Sequence, residues 1–131
     1  MKFAVDYEAP IAIRYPRGNA YDGLKEYRNE IEAGKVEWIY RECEIVLFAI
    51  GSMVKTAQQV REKLKVLGHS VSLVNARFVR PLDEAAVVEA CEGHELIVTM
   101  EENVTTGGFG ESVLACMAKH KKRNLFLNIS I

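Results

Sequence analysis

The sequence predicts an α/β fold: a three-layer αβα sandwich on a mostly parallel five-stranded sheet with one antiparallel strand. Three observations predict it. Four apolar runs lack the alternation of a half-exposed strand, so they read as strands covered on both faces. The segments between them place apolar residues at three- and four-residue steps, the period of a helix packed by one side. Each connection has room for one helix only, which makes successive strands parallel and puts helices on both sides of the sheet.

The elements follow in order. "IAIRY", Ile11 to Tyr15, reads as a short strand that ends at a corner where Pro16 and Gly18 hold Arg17. Proline fixes φ and glycine frees the next turn, so such a corner either caps a strand or presents a guanidinium. Residues 16–34 read as an irregular loop rich in charge and tyrosine. "KVEWIY", Lys35 to Tyr40, alternates like a half-exposed strand, and only Arg41 to Cys43 separate it from the next run. An antiparallel hairpin is the expected connection.

"EIVLFAIG", Glu44 to Gly51, is the first continuous apolar strand. Ser52 is a plausible N-cap for a helix with Met53, Ala57, Val60, Leu64 and Leu67 on one face and Gly68 as its stop. "VSLV", Val71 to Val74, is the next strand. Asp83 is placed to cap a second helix, with Leu82 and Val87 at hydrophobic-staple spacing. "ELIVTM", Glu95 to Met100, leads through "EENVTTGGFGES" into a third helix bearing Phe109, Val113, Leu114 and Met117, and "LFLNI", Leu125 to Ile129, closes the sheet.

Composition limits the function. With 131 residues, 49% hydrophobic and 27% charged, the chain is read as one globular domain over 1–131, in which 1–34 form a lead-in. Seventeen Lys and Arg against eighteen Asp and Glu give a net charge of -1, which argues against a nucleic-acid or membrane surface. The one basic cluster, Lys119 to Arg123, follows a helix and is read as complementing its C-terminal dipole. No apolar leader and no bilayer-length run is present, so a soluble, cytoplasmic protein is expected. Cys43, Cys91 and Cys116 are isolated, without a histidine at ligand spacing, and are read as free thiols of a reducing compartment; no metal site is expected.

Ligands of open α/β sheets bind beyond the carboxyl ends of the strands, which singles out Gly51-Ser52, Asn75 to Arg80 and Glu101 to Gly110. The Gly107–Gly110 loop offers backbone N–H groups to an anion, but neither a dinucleotide fingerprint nor a P-loop is present. Glu101 and Glu102 are adjacent on a strand, point to opposite faces and make a poor acid/base pair; they are read as solvated or interface carboxylates. His69, His94 and His120 have no nucleophile at a recognisable elbow. No catalytic, cofactor-binding or metal-binding residue is assigned from these patterns.

"YPRGN" (Tyr15–Asn19), "AIGSMV" (Ala49–Val54), "VNARFVRPLD" (Val74–Asp83), "VTMEENVTTGGFG" (Val98–Gly110) and "LNI" (Leu127–Ile129) stand in an order and spacing that resembles the C-terminal domain of the 1-deoxy-D-xylulose-5-phosphate synthase family. The resemblance runs over essentially the whole chain. It implies a fragment of a thiamine diphosphate- and Mg2+-dependent enzyme of the transketolase type. That enzyme joins a two-carbon unit from pyruvate to D-glyceraldehyde 3-phosphate with loss of CO2, supplying isoprenoid, thiamine and pyridoxal synthesis. The motifs that hold the cofactor and metal in that family have no counterpart here, so the fragment itself is expected to bind neither and to be inactive alone.

The resemblance also implies that Arg17 receives the substrate phosphate, with Arg14 a weaker candidate. It implies partners as well: the remaining domains of the parent enzyme and a second subunit in a homodimer. The "RFVRPLD" loop, with Arg77 and Arg80, and the "EENVTTGGFG" loop are expected to seat the domain against them. Family members continue past "LNI", whereas this chain stops at Ile131, so a partly bare sheet face and self-association are expected. Two other readings stand beside it: the C-terminal domain of a 2-oxoacid dehydrogenase E1 β subunit or a transketolase, and a stand-alone anion- or nucleotide-binding module using Gly107 to Gly110.

Overall fold

In a computed structural model, which describes residues 1–15, 20–27 and 29–131, five strands form one sheet in the order β1-β3-β2-β4-β5. These are β1 (Glu37–Tyr40), β2 (Glu44–Ala49), β3 (Val71–Asn75), β4 (His94–Glu101) and β5 (Leu125–Ser130). The β3-β2, β2-β4 and β4-β5 ladders are parallel, and β1 alone runs antiparallel, on the edge beside β3. Helices α2 (Met53–Val66), α3 (Glu84–Gly93) and α4 (Phe109–Lys119) are the crossovers, and a single turn, α1 (Lys2–Val5), opens the chain.

The continuous apolar runs are buried on both sides, as parallel strands covered by helices must be. On one face Val46, Phe48, Val74 and Ile97 pack under α3 and α4 with Val87, Phe109, Val113 and Met117. On the other, Ile45, Leu47, Leu73, Val98 and Met100 meet Met53, Val54 and Ala57 of α2. Leu24 and Tyr27 of the lead-in pack on that second cluster. Each such side chain contributes roughly 1.5–3 kcal/mol through burial, so the three layers hold one another.

The helix boundaries follow the capping residues. Asp83 accepts from Ala86 N–H at 3.2 Å, and Leu82 and Val87 both join the core beneath it, the expected staple. Ser52 occupies the N-cap position of α2 without a side-chain cap bond. At the other end of α2, Gly68 (φ +94) donates to Lys65 O at 3.0 Å and His69 to Leu64 O at 3.1 Å. This pair of bonds is a Schellman close, and glycine adopts its left-handed position at no steric cost.

Two expectations fail. "IAIRY" is not a strand: residues 11–15 have no regular structure, and Ile11, Ile13 and Tyr15 are exposed. A strand needs a ladder partner, and among the described residues none lies beside this segment, so its exposed backbone is left to solvent. The β1-β2 hairpin is absent too, because β3 lies between those strands. Adjacent strands are about 4.8 Å apart, so skipping one requires about 10 Å, which three extended residues can span.

Glu42 lies on that bridge and closes it. Its main chain accepts from Ser72 Oγ at 3.1 Å and donates back to it at 2.8 Å, and its carboxylate accepts from Val71 N–H at 3.1 Å. The same carboxylate pairs with Lys65 at 2.9 Å and with the buried Arg61. Arg61 in turn donates to Val71 O at 2.8 Å and lies 3.7 Å over the Tyr40 ring.

The hydrogen bond from Lys65 holds the Glu42 carboxyl below its ordinary pKa; burial opposes this, and Val71 N–H and Arg61 add to the lowering. A carboxyl depressed in the folded chain stabilises it above the unfolded value, near 4.5, and that stability is lost as pH falls through the folded pKa. Glu42→Gln is therefore expected to lower unfolding stability at pH 7 by about 2–3 kcal/mol, largely by leaving the buried Arg61 with only Glu62 as a counter-charge. In denaturant titrations across pH, the gap between variant and parent should begin to narrow below the unfolded value and close as pH falls through the lowered folded pKa of Glu42. A gap of constant size at all pH values contradicts this account.

Candidate functional site

The parallel strands β2, β3 and β4 end on one side of the sheet, and the loops that follow them gather there, as does the lead-in. After β3, Arg77 takes a left-handed backbone (φ +54), and its guanidinium turns onto the lead-in. It pairs with the buried Glu37 at 2.8 Å and donates to Asn29 O at 3.1 Å and Glu30 O at 3.3 Å. Phe78 meets Phe3 edge-on with ring centroids 5.9 Å apart. Tyr21 donates to Gln58 Oε1 of α2 at 2.5 Å.

Of the two arginines singled out, Arg14 donates from Nη2 to Glu102 O at 3.3 Å, at the carboxyl end of β4. Arg17 lies outside the described residues. Tyr15, which flanks it, is 77% exposed, and Ala20 beyond it is exposed too.

The loop from Glu101 to Gly110 departs from the sequence reading. Glu101 is only 3% exposed. Its two oxygens accept from Phe109 N–H and Gly110 N–H at 2.8 Å each, while Gly107 N–H donates to the Glu111 carboxylate and Gly108 N–H to Thr105 O at 3.3 Å. The positive end of α4 is thus occupied by a side chain of the preceding strand, where the sequence left N–H groups open to an external anion. Glu102, on the opposite face, is exposed. The expected divergence of the pair holds, and the reading of Glu101 as a solvated or interface carboxylate does not. Adjacency alone cannot tell which of two neighbouring glutamates turns inward; Gly108 supplies the cue, because it leaves room for a carboxylate. A Cβ on Gly108 would stand 2.8 Å from both Glu101 oxygens and 2.5 Å from Val104 O, whereas one on Gly110 would meet Asn128 at 2.5 Å and Thr99 Oγ1 at 2.7 Å.

The histidines lie away from this end. His69 pairs with Glu44 at 2.7 Å on the surface. His94 is buried at the amino end of β4, with Nδ1 2.8 Å from Ala90 O and Nε2 2.8 Å from Ser72 Oγ. Ser72 Oγ is also bonded to both main-chain groups of Glu42, so this pair joins strands. His120 stands beside Glu84 and Cys116. The sequence reading missed that pairing: Cys116 and His120 are four residues apart, one helical turn. Among the described residues no helix is long and apolar enough to cross a membrane.

Over residues 34–129 the sequence matches the family described as "Transketolase, C-terminal domain". It is 51% identical over 132 residues to the 1-deoxy-D-xylulose-5-phosphate synthase of Lachnoclostridium phytofermentans, covering 100% of this chain and 21% of that one. It is 41% identical over 119 residues to the synthase of the same name from Natranaerobius thermophilus, covering 89% and 19% of the two chains. The chain therefore spans about a fifth of the length of these curated relatives. Among solved structures, "Split gene transketolase, inactive beta4 tetramer" superposes with a TM-score of 0.75 at 20% identity, covering 79% of this chain and 34% of that one. At that identity the likeness bears on the fold alone.

The α4 cap is open to a double-mutant test. Glu101→Gln replaces one acceptor by a donor facing an N–H and is expected to cost about 2 kcal/mol. Gly108→Ala is expected to cost roughly 1–3 kcal/mol by overpacking. Because both substitutions disrupt one contact, the double variant should lose measurably less in urea unfolding than the sum of the two. Strict additivity contradicts the contact.

Proposed function

This chain belongs to the transketolase C-terminal domain family, and we propose that within it the chain is the C-terminal domain of a 1-deoxy-D-xylulose-5-phosphate synthase. One observation carries the reading: 51% identity spread over 100% of the chain. That span includes the lead-in before residue 34, which the family match leaves out and in which both candidate arginines stand. Residues 1–131 form one domain, with 1–34 as its substrate-side lead-in.

In this proposal the whole enzyme condenses pyruvate with D-glyceraldehyde 3-phosphate and releases CO2, in the cytoplasm and as a homodimer. Thiamine diphosphate supplies the nucleophilic carbon when bound, with Mg2+ on its diphosphate. The residues of this chain do not fit that group, since the helix N-terminus best suited to a diphosphate is filled by Glu101. Cofactor and metal belong to the other domains.

The role left to this chain is to hold the aldehyde's phosphate. A guanidinium donates to two phosphate oxygens in one plane, and its charge does not titrate in the range where the enzyme works. Arg17 is the residue assigned to that task. Arg14 is a positioning residue: its bond to Glu102 O supports a lead-in held against the carboxyl end of the sheet, where ligands of α/β folds approach. The ion pair of Arg77 with the buried Glu37 supports the same placement.

The test belongs in the full-length enzyme. Arg17→Ala removes charge-assisted hydrogen bonds worth roughly 1.5–3 kcal/mol, so kcat/KM for D-glyceraldehyde 3-phosphate should fall about tenfold to a hundredfold. The KM for pyruvate should change little, and an unphosphorylated aldehyde should react almost as before. Arg17→Lys should restore part of the loss, since a point charge replaces a planar fork. Arg14→Ala should cost less, and equally for both aldehydes. Equal losses for the two aldehydes in Arg17→Ala contradict the phosphate role. The purified 131-residue chain should form no deoxyxylulose phosphate from the two substrates, and detectable product contradicts the assignment of the chemistry to other domains.

A further inference from the structure

Three side chains of metal-ligating type converge where α3 meets α4, away from the carboxyl end of the sheet. Glu84 opens α3, and Cys116 and His120 stand one turn apart at the end of α4, so their side chains share a face. One donor atom from each lies within 4.8 Å of the other two. The His120 Nε2 to Glu84 Oε2 distance is 3.1 Å. A tetrahedral zinc ion with Zn–N and Zn–O bonds of about 2.0–2.2 Å sets its nitrogen and oxygen ligands about 3.3 Å apart. That edge of the tetrahedron is already formed. The edges to sulfur are no longer than 4.8 Å and need closing by no more than about 1 Å, within reach of side-chain rotation at the surface residues Glu84 and His120.

The third ligand is a buried thiol. Cys116 is 4% exposed, and its thiol makes no hydrogen bond among the described residues. It also lines a surface cavity together with Arg80, Pro81, Glu84, Ser112 and Lys119, which provides an entry path. A cation already sits at the mouth: Lys119 Nζ lies 2.7 Å and 3.1 Å from the two Glu84 oxygens. The carboxylate therefore holds positive charge at this spot, and a divalent ion would compete with the ammonium for it.

We propose that Glu84, Cys116 and His120 bind a divalent transition metal of the zinc class, with water as the fourth ligand and with Lys119 as the counter-cation that the metal displaces. A thiolate and an imidazole select zinc or cobalt over magnesium or calcium. On binding, the Cys116 thiol releases its proton to solvent and His120 coordinates through Nε2 as the neutral imidazole. The site ties the last turn of α4 to the first turn of α3. It is independent of the phosphate-binding reading and stands or falls apart from it.

Cobalt(II) titration of the 131-residue chain tests the proposal, in a Cys43→Ser background that removes the exposed thiol. The expected result is a thiolate-to-cobalt charge-transfer band with the strong visible bands of four-coordinate cobalt, saturating at one ion per chain and displaced by zinc. His120 is at the surface, so His120→Ala keeps the fold; it should weaken binding about tenfold or more. Cys116→Ser should abolish the charge-transfer band, and Lys119→Met, which removes the competitor, should tighten binding. No charge-transfer band at millimolar cobalt overturns the proposal. So does a band indifferent to His120→Ala or surviving Cys116→Ser, and so does a Lys119→Met chain that binds no more tightly than its parent.

Discussion

The sheet has its order because a three-residue bridge passes across the start of β3 and is closed there by one carboxylate. Without the Glu42 carboxylate the amino end of β3 would lose the acceptor of Val71 N–H beneath the bridge, and Arg61 would be a buried cation with one fewer anion. Unpaired buried groups cost more than their pairs contribute. The order β1-β3-β2 therefore depends on a short polar network rather than on the strands' apolar content, which would be served as well by a hairpin. The stack of Arg41 on Trp38 and of Trp38 on His94 continues that network along the same end of the sheet.

The two ends of the sheet are sealed by the same device and serve different purposes. At the amino end Glu42, Ser72 and His94 satisfy one another and leave nothing for a ligand. At the carboxyl end Glu101 consumes the donors of α4, but the lead-in is laid across that end by Arg14, Tyr21 and Arg77. The α4 dipole is thereby satisfied within the domain, and the side chains of the lead-in, a separate segment, are what that end of the sheet presents.

Much of the fold was legible in the sequence for reasons that can be named. A parallel strand buried on both faces must be continuously apolar, and Glu44–Ala49 and Glu95–Met100 could hardly be anything else. Asp83 and Gly68 announce helix ends because capping chemistry is local. What failed was non-local. Ile11–Tyr15 has strand composition, but composition does not supply a neighbouring strand. The three residues between β1 and β2 suit a hairpin, and nothing within them reports that β3 inserts between. The loops beyond the carboxyl ends follow from the strand order and could be named from the sequence, whereas the inward turn of Glu101 and the meeting of Glu84 with Cys116 and His120 depend on partners 8 to 36 positions away. The arginine pair came from resemblance, since spacing alone gave only a constrained corner.

The ties on the lead-in are graded along its length. Near residue 30 the segment is fastened by an ion pair and two main-chain bonds from Arg77; at residue 14 it is held by one exposed bond to Glu102 O. Opening the first means breaking an ion pair at the sheet edge, so the lead-in there is expected to open less readily than the stretch around Arg14. The stretch around Arg14 can therefore rearrange without drawing on the stability of the domain.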